Sequence, residues 1–176
     1  MAVSDAITLI LGGARSGKSR YAESLVAGFP RPWLYVATAE PLDDEMAARI
    51  AAHRARRGAG WQAVEAPRDL AGVLAEAPPV GAVLIDCLTL WLSNLMLADA
   101  DADVEAEIMR LDGVLARAAA PVVLVSNEVG LGIVPDNVLA RRFRDAQGRL
   151  NQYIAARADR VVLMVAGLPL ALKGAL

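Results

Sequence analysis

The sequence predicts an α/β fold: a mostly parallel central sheet flanked by helices and organised around a phosphate-binding loop. Three observations predict it. Gly12-Gly13-Ala14-Arg15-Ser16-Gly17-Lys18-Ser19 fits G-x-x-x-x-G-K-[ST]. An apolar run, Ile7–Leu11, precedes it, and a helix-like stretch, Arg20–Val26, follows it. Beyond that unit, further apolar, β-branched runs alternate with helical patterns, five clear strand-like runs in all, as a parallel sheet with helical crossovers requires.

The loop motif carries a mechanism. Its glycines let the backbone curl so that N–H groups face phosphate oxygens at a helix N-terminus, where the dipole favours anions. Lys18 is placed to reach the β and γ phosphates, and the Ser19 hydroxyl is placed to ligate Mg²⁺. The loop therefore predicts binding of a nucleoside triphosphate. A plain glycine-rich turn bearing a surface lysine would lack the strand before it and the helix after it.

The elements follow in order. Gly28-Phe29-Pro30-Arg31-Pro32 is a turn, and Trp33–Ala37 is a strand. It ends in Thr38-Ala39-Glu40, and ligands collect at the carboxyl ends of parallel strands, so these residues lie near the nucleotide if the two strands are neighbours. Residues 42–57 read as a helix with acids (Asp43, Asp44, Glu45) in its first turn and cations (Arg54, Arg56, Arg57) in its last, stopped by Gly58. Met46, Ile50 and His53 share one face of it. His53 is the only histidine in the chain. Two readings stand for it: a C-terminal helix histidine interacting with the dipole, or a nucleophile beside a triphosphate that the surrounding arginines hold. Those arginines would also favour the neutral, nucleophilic imidazole.

Trp61–Glu65 reads as a short strand, residues 68–76 as a short helix, and Val80–Asp86 as a buried strand ending in a carboxylate. Such an acid is the natural second holder of Mg²⁺ beside a phosphate loop. The competing role for Asp86 is N-cap of the helix over 88–97. Residues 104–119 read as an amphipathic helix and 121–125 as a strand. The glycine-rich loop Ser126–Pro135 starts at that strand's carboxyl end and reads as substrate-facing or as a lid. Residues 137–157 read as a long helix with a solvated face of Arg141, Arg142, Arg144 and Asp145. Residues 160–167 read as a strand, and 168–174 as an apolar tail that packs on the body or on a neighbour.

Composition bounds the rest. The chain has 176 residues, enough for one domain over 1–176 and short for two. A net charge of −2 gives no electrostatic case for nucleic acid. The lone Cys87 excludes an internal disulfide and a cysteine-built metal site. No uncharged apolar stretch reaches the length of a membrane span, and Met1–Asp5 lacks a basic signal-like start. The expectation is a cytoplasmic protein.

Taken together, the phosphate loop, Tyr35-Val36-Ala37-Thr38-Ala39, the acidic stretch from Asp43 into Ile50 with His53, Ser126-Asn127-Glu128-Val129-Gly130-Leu131-Gly132-Ile133-Val134-Pro135, and Arg142–Asp145 through Gly148–Gln152 span nearly the whole chain. In this combination the sequence resembles the bifunctional adenosylcobinamide kinase/adenosylcobinamide-phosphate guanylyltransferases of cobalamin synthesis. The resemblance implies a single-domain, RecA-like P-loop fold that tends to form homotrimers. It implies phosphorylation of the aminopropanol hydroxyl of adenosylcobinamide by ATP or GTP. It also implies transfer of GMP from GTP to that phosphate through a guanylylated histidine, which maps onto His53. Nucleotide contacts map onto Gly12–Ser19, Thr38, Ala39, Glu40, Arg54, Ala55, Arg56, Arg57, Glu65 and Asp86, with Ser19 and Asp86 toward Mg²⁺. Three other readings are a guanylyltransferase alone, a plain P-loop kinase with a structural His53, and a nucleotide-controlled assembly module.

Overall fold

The computed structural model describes residues 6–41, 44, 47–48, 50–51, 55, 58–99 and 102–176. Seven strands form one sheet: β1 (Ile7–Gly12), β2 (Trp33–Ala37), β3 (Trp61–Glu65), β4 (Ala82–Asp86), β5 (Val122–Val125), β6 (Arg160–Val165) and β7 (Leu168–Lys173). Their order is β3-β2-β4-β5-β1-β6-β7. The first six pair in parallel, and β7 alone runs antiparallel, against β6.

The central strands are apolar on both faces because helices cover both. On one side α1 (Lys18–Val26) lays Ala22 and Val26 against Ile10, Tyr35, Leu84, Val123 and Val125. On the other, Leu9, Leu34, Val36, Ile85 and Leu124 meet α2 (Leu70–Ala75), α3 (Leu88–Ala98), α4 (Val104–Leu115) and α5 (Val138–Arg157). Alternate residues of each strand thus feed two cores, which is why these strands read as continuous apolar runs rather than as alternating ones. Three helices start on side-chain caps: Asp69, Asp103 and Asn137 accept from Gly72, Ala106 and Ala140 N–H.

Three sequence expectations shift. Helix α1 begins at Lys18, not Arg20, so the lysine of the loop is already helical. Helix α4 ends at Leu115 because Arg117 and Ala118 N–H turn to carbonyls three residues back, Val114 and Leu115, and tighten the chain out of the helix. The apolar tail is a strand. Ala166 (φ 52°) and Gly167 (φ 83°) make a two-residue turn with both residues left-handed, the geometry that matches the twist of an antiparallel pair. Of the expected helix over 42–57, Asp44, Ala47, Ala48, Ile50, Ala51 and Ala55 are helical; His53, Arg54, Arg56 and Arg57 lie outside the described residues. No helix among the described residues is long and apolar enough to cross a membrane.

The centre of the larger core is Trp91, fully buried on α3, whose indole N–H donates to Arg68 O at 2.7 Å. Trp91→Ala removes a large, fully buried side chain together with its hydrogen bond to Arg68 O, which keeps only Leu70 N–H. The expected loss of unfolding free energy is about 3–5 kcal/mol, read by urea titration. Trp91→Phe, which keeps most of the volume, is expected to lose about 1–3 kcal/mol.

Candidate nucleotide-binding and catalytic site

The register of the sheet lines up the ends of its strands. Glu65 pairs with Ala37, Ala37 with Asp86, Asp86 with Val125, and Val125 with Ile10, just before the phosphate loop. Of the sequence-predicted residues, Glu65, Asp86, Thr38 just after Ala37, and the start of the phosphate loop therefore lie along one rim, the carboxyl end of the sheet, where open α/β folds bind ligands.

At β1 the loop is shaped by its glycines. A Cβ on Gly12 (φ 151°) would lie 2.6 Å from Met164 O and 2.7 Å from Ser16 Oγ, so only glycine lets strand and loop approach this closely. Gly17, the N-cap of α1, is left-handed (φ 96°). Lys18 is buried, and its ammonium donates to Gly13 O at 2.6 Å. The Ser16 hydroxyl is buried with no partner among the described residues. A backbone curl at a helix start, an enclosed cation and an unsatisfied hydroxyl are features that phosphate oxygens would satisfy. The β6–β7 turn braces the loop from the far side: Gly167 N–H donates to Ser16 O at 3.1 Å. The sequence signal for that brace was the Ala-Gly pair between two apolar runs.

Asp86 stands two strands away. The N-cap of α3 is Cys87, without a side-chain cap bond, so Asp86 is not the cap. Its Oδ2 accepts from the Tyr35 hydroxyl at 3.1 Å. Ser19 and Asp86 are hard oxygen donors. They suit Mg²⁺, which takes one or two protein ligands and completes its shell with phosphates and water. Among the described residues no cluster of three or more His, Cys, Asp or Glu forms a dedicated metal cage. Cys87 is buried, and its thiol is pushed up to about 11, first by burial and then by the neighbouring Asp86 charge, so it serves as a packing group.

The stretch after β2 divides. Thr38 is fully buried and turned inward: its hydroxyl donates to Cys87 O (2.7 Å) and accepts from Cys87 N–H (2.8 Å). Its own N–H donates to Asp86 O, and its carbonyl accepts from Asn94 Nδ2 at 2.7 Å. Thr38 thus ties β2 to β4 instead of offering its polar atoms to a ligand. Ala39 and Glu40 remain partly open, with Glu40 3.7 Å from Arg68. Glu65 is exposed at the end of the edge strand β3, four strands from the loop. The sheet sets it at the opposite end of the rim from the loop. Ala55 is helical and exposed.

Sequence reasoning missed a buried polar cluster behind the loop after β5. Ser126 Oγ donates to Asn151 Oδ1 (2.7 Å), and Gln147 Nε2 donates to both (2.9 Å each). Asn151 Nδ2 holds Asn127 O at 3.0 Å. The only signal was a polar pair four residues apart, which falls on one helix face.

Strand order, rim and loop define a P-loop nucleoside-triphosphate-binding protein of the RecA-like α/β class. Solved structures agree on the fold. The RadB recombinase matches with a TM-score of 0.53 at 15% identity, over 90% of this chain and 74% of its own. A type III secretion system ATPase matches with a TM-score of 0.54 at 13% identity, over 90% and 51%. The family is narrower than the fold. The cobinamide kinase / cobinamide phosphate guanyltransferase model matches residues 8–172, and the chain belongs to that family. The bifunctional adenosylcobalamin biosynthesis protein CobP of Pseudomonas aeruginosa is 51% identical over 94% of this chain and 96% of its own length. CobU of Salmonella typhimurium, also named bifunctional, is 45% identical over 94% and 98%.

Proposed function

We propose that this chain phosphorylates adenosylcobinamide and then converts the phosphate to adenosylcobinamide-GDP. The observation that carries the reading is the family match across residues 8–172, on a chain that keeps the phosphate loop and an acid at the end of β4. In the first reaction the aminopropanol oxygen attacks the γ-phosphorus of ATP or GTP, the bond to the β,γ-bridging oxygen breaks, and the nucleoside diphosphate leaves. In the second a nitrogen of His53 attacks the α-phosphorus of GTP and pyrophosphate leaves. The cobinamide phosphate oxygen then displaces the imidazole from phosphorus.

The roles divide as follows. Backbone N–H groups of Gly12–Ser19 orient the phosphates, and Lys18 offsets charge on the β and γ groups. Ser19 and Asp86 are the residues that would hold Mg²⁺, which supplies charge neutralisation on the transferring phosphoryl group. Arg54, Arg56 and Arg57, beside Ala55, are assigned to the nucleotide that His53 attacks. Ala39 and Glu40 lie nearer the loop, and the exposed Glu65 is left to the nucleoside end. An apolar stripe on the edge strand β7, Leu168, Leu170 and Leu172, each more than half exposed, supports assembly with further copies into a homotrimer. A cytoplasmic location completes the reading.

The test is intact mass of the wild type after incubation with GTP and Mg²⁺. A GMP-sized, acid-labile adduct that adenosylcobinamide phosphate chases off is the expected result. A folded, GTP-binding protein that forms no adduct overturns the covalent route.

A further inference from the structure

The loop after β5 carries an acid to which neither the nucleotide contacts nor the metal assigns a task. We infer that Glu128 is the general base of the phosphorylation step, taking the proton from the acceptor hydroxyl of cobinamide. This deepens the kinase half of the function proposed above and rests on it.

Placement is the first argument. Strand β5 lies between β4, which ends in Asp86, and β1, which feeds the phosphate loop. Immediately beyond β5, Glu128 N–H donates to Gly12 O at 3.1 Å, so its backbone is joined to the first residue of the phosphate loop. Rigidity is the second. The buried Ser126, Gln147 and Asn151 fix the start of the segment, and Asn127 N–H donates to Thr89 Oγ1 at 2.8 Å. Arg141 holds its far end through Pro135 O (2.9 Å) and Asp136 O (2.7 Å). A solvent-facing acid on an idle loop would need none of these anchors.

Availability is the third. Glu128 Oε1 accepts from Gly130 N–H at 2.9 Å, which orients the carboxylate and leaves most of its acceptor sites open. Among the described residues no cation lies within ion-pairing distance of it. The other acids nearby on the rim are engaged: Asp86 with Tyr35, and Glu40 beside Arg68.

In the step, the hydroxyl oxygen bonds to the γ-phosphorus as its proton passes to Glu128. The electron pair of the breaking bond leaves with the nucleoside diphosphate, and Glu128 then releases the proton to solvent. Guanylyl transfer uses a nucleophile that is already deprotonated, a phosphate oxygen, and needs no such base.

That difference is the test. Glu128→Gln keeps an oxygen for Gly130 N–H and loses the basic carboxylate. Rates are measured separately for phosphorylation of adenosylcobinamide and for GMP transfer to prepared adenosylcobinamide phosphate. Phosphorylation kcat is expected to fall about 100-fold or more, with KM for nucleotide and corrinoid within about twofold and GMP transfer within about threefold of wild type. Phosphorylation kcat within about threefold of wild type overturns the assignment. So does an equal loss in both reactions with weakened GTP binding, which would make the loop structural. Glu128→Asp retains a carboxylate with shorter reach and is expected to recover at least about tenfold over Glu128→Gln; no recovery in a GTP-binding variant also overturns it. A wild type that transfers GMP without phosphorylating cobinamide removes the kinase half and this assignment together.

Discussion

Replacing His53 by alanine is expected to stop GMP transfer to adenosylcobinamide phosphate while leaving phosphorylation of adenosylcobinamide close to wild type. The two reactions differ in what they ask of the protein. Phosphoryl transfer to a hydroxyl is in-line and needs positioning and charge stabilisation from the loop. Guanylyl transfer through the enzyme needs a nucleophile on the chain, and His53 is the sole imidazole available to it. Removing a covalent nucleophile lowers the rate by on the order of 10⁴-fold or more. The check is twofold: intact mass with GTP and Mg²⁺, in which the variant gains no GMP, and separate rate assays of the two half-reactions. An adduct that persists in His53→Ala would place the nucleophile elsewhere and return His53 to the helix-dipole role that its position also allows. Loss of both reactions would point to damage of the nucleotide site as a whole.

The phosphate loop was legible because its motif is itself a statement of geometry: a glycine, Gly12, where a Cβ cannot fit, a left-handed glycine, Gly17, at the helix start, and a lysine and a serine in the first turn that follows. The parallel strands were legible because burial on both faces leaves unbroken apolar runs. That a strand ends in a carboxylate, at Asp86, was legible in the same way. What escaped depended on contacts distant in sequence. Tyr35 and Asp86 meet across 51 positions and only because β2 and β4 pair in register. Thr38 sits at a strand's carboxyl end, as a ligand residue would, yet its neighbours turn it inward to Cys87, and no local pattern distinguishes the two cases. Gln147 and Asn151 are polar residues on a charged helix that nothing local marks as interior, and the end of β5 buries them. Strand β7 was hidden by Pro169, which argues against a central strand but is tolerated on an edge strand.

Lys18→Met is expected to abolish useful turnover in both half-reactions without destabilising the fold, and the split between those effects is what makes it informative. Lys18 is buried, and its ammonium is held by the carbonyl of Gly13. An enclosed ammonium carries a desolvation penalty that its polar contacts offset only in part. Methionine fills the unbranched stem's space and carries no charge, so the variant is expected to melt at or above the wild-type temperature. The chemistry moves the other way. Negative charge accumulates on the leaving nucleoside diphosphate in one reaction and on the leaving pyrophosphate in the other, and the proposed single site turns the β and γ groups to the same loop in both. Losing one preorganised donor at such a site costs on the order of 10²–10³-fold in kcat. Calorimetric melting together with the two rate assays decides the matter. A stable variant with both rates depressed makes Lys18 a shared electrostatic element of one nucleotide site. A variant impaired in phosphorylation alone would mean that GTP presents its α-phosphorus to His53 in a register that does not use the lysine. Lys18→Arg separates charge from shape. The guanidinium keeps the charge but is planar and larger than the ammonium that fits beside Gly13, so it is expected to restore little of either rate.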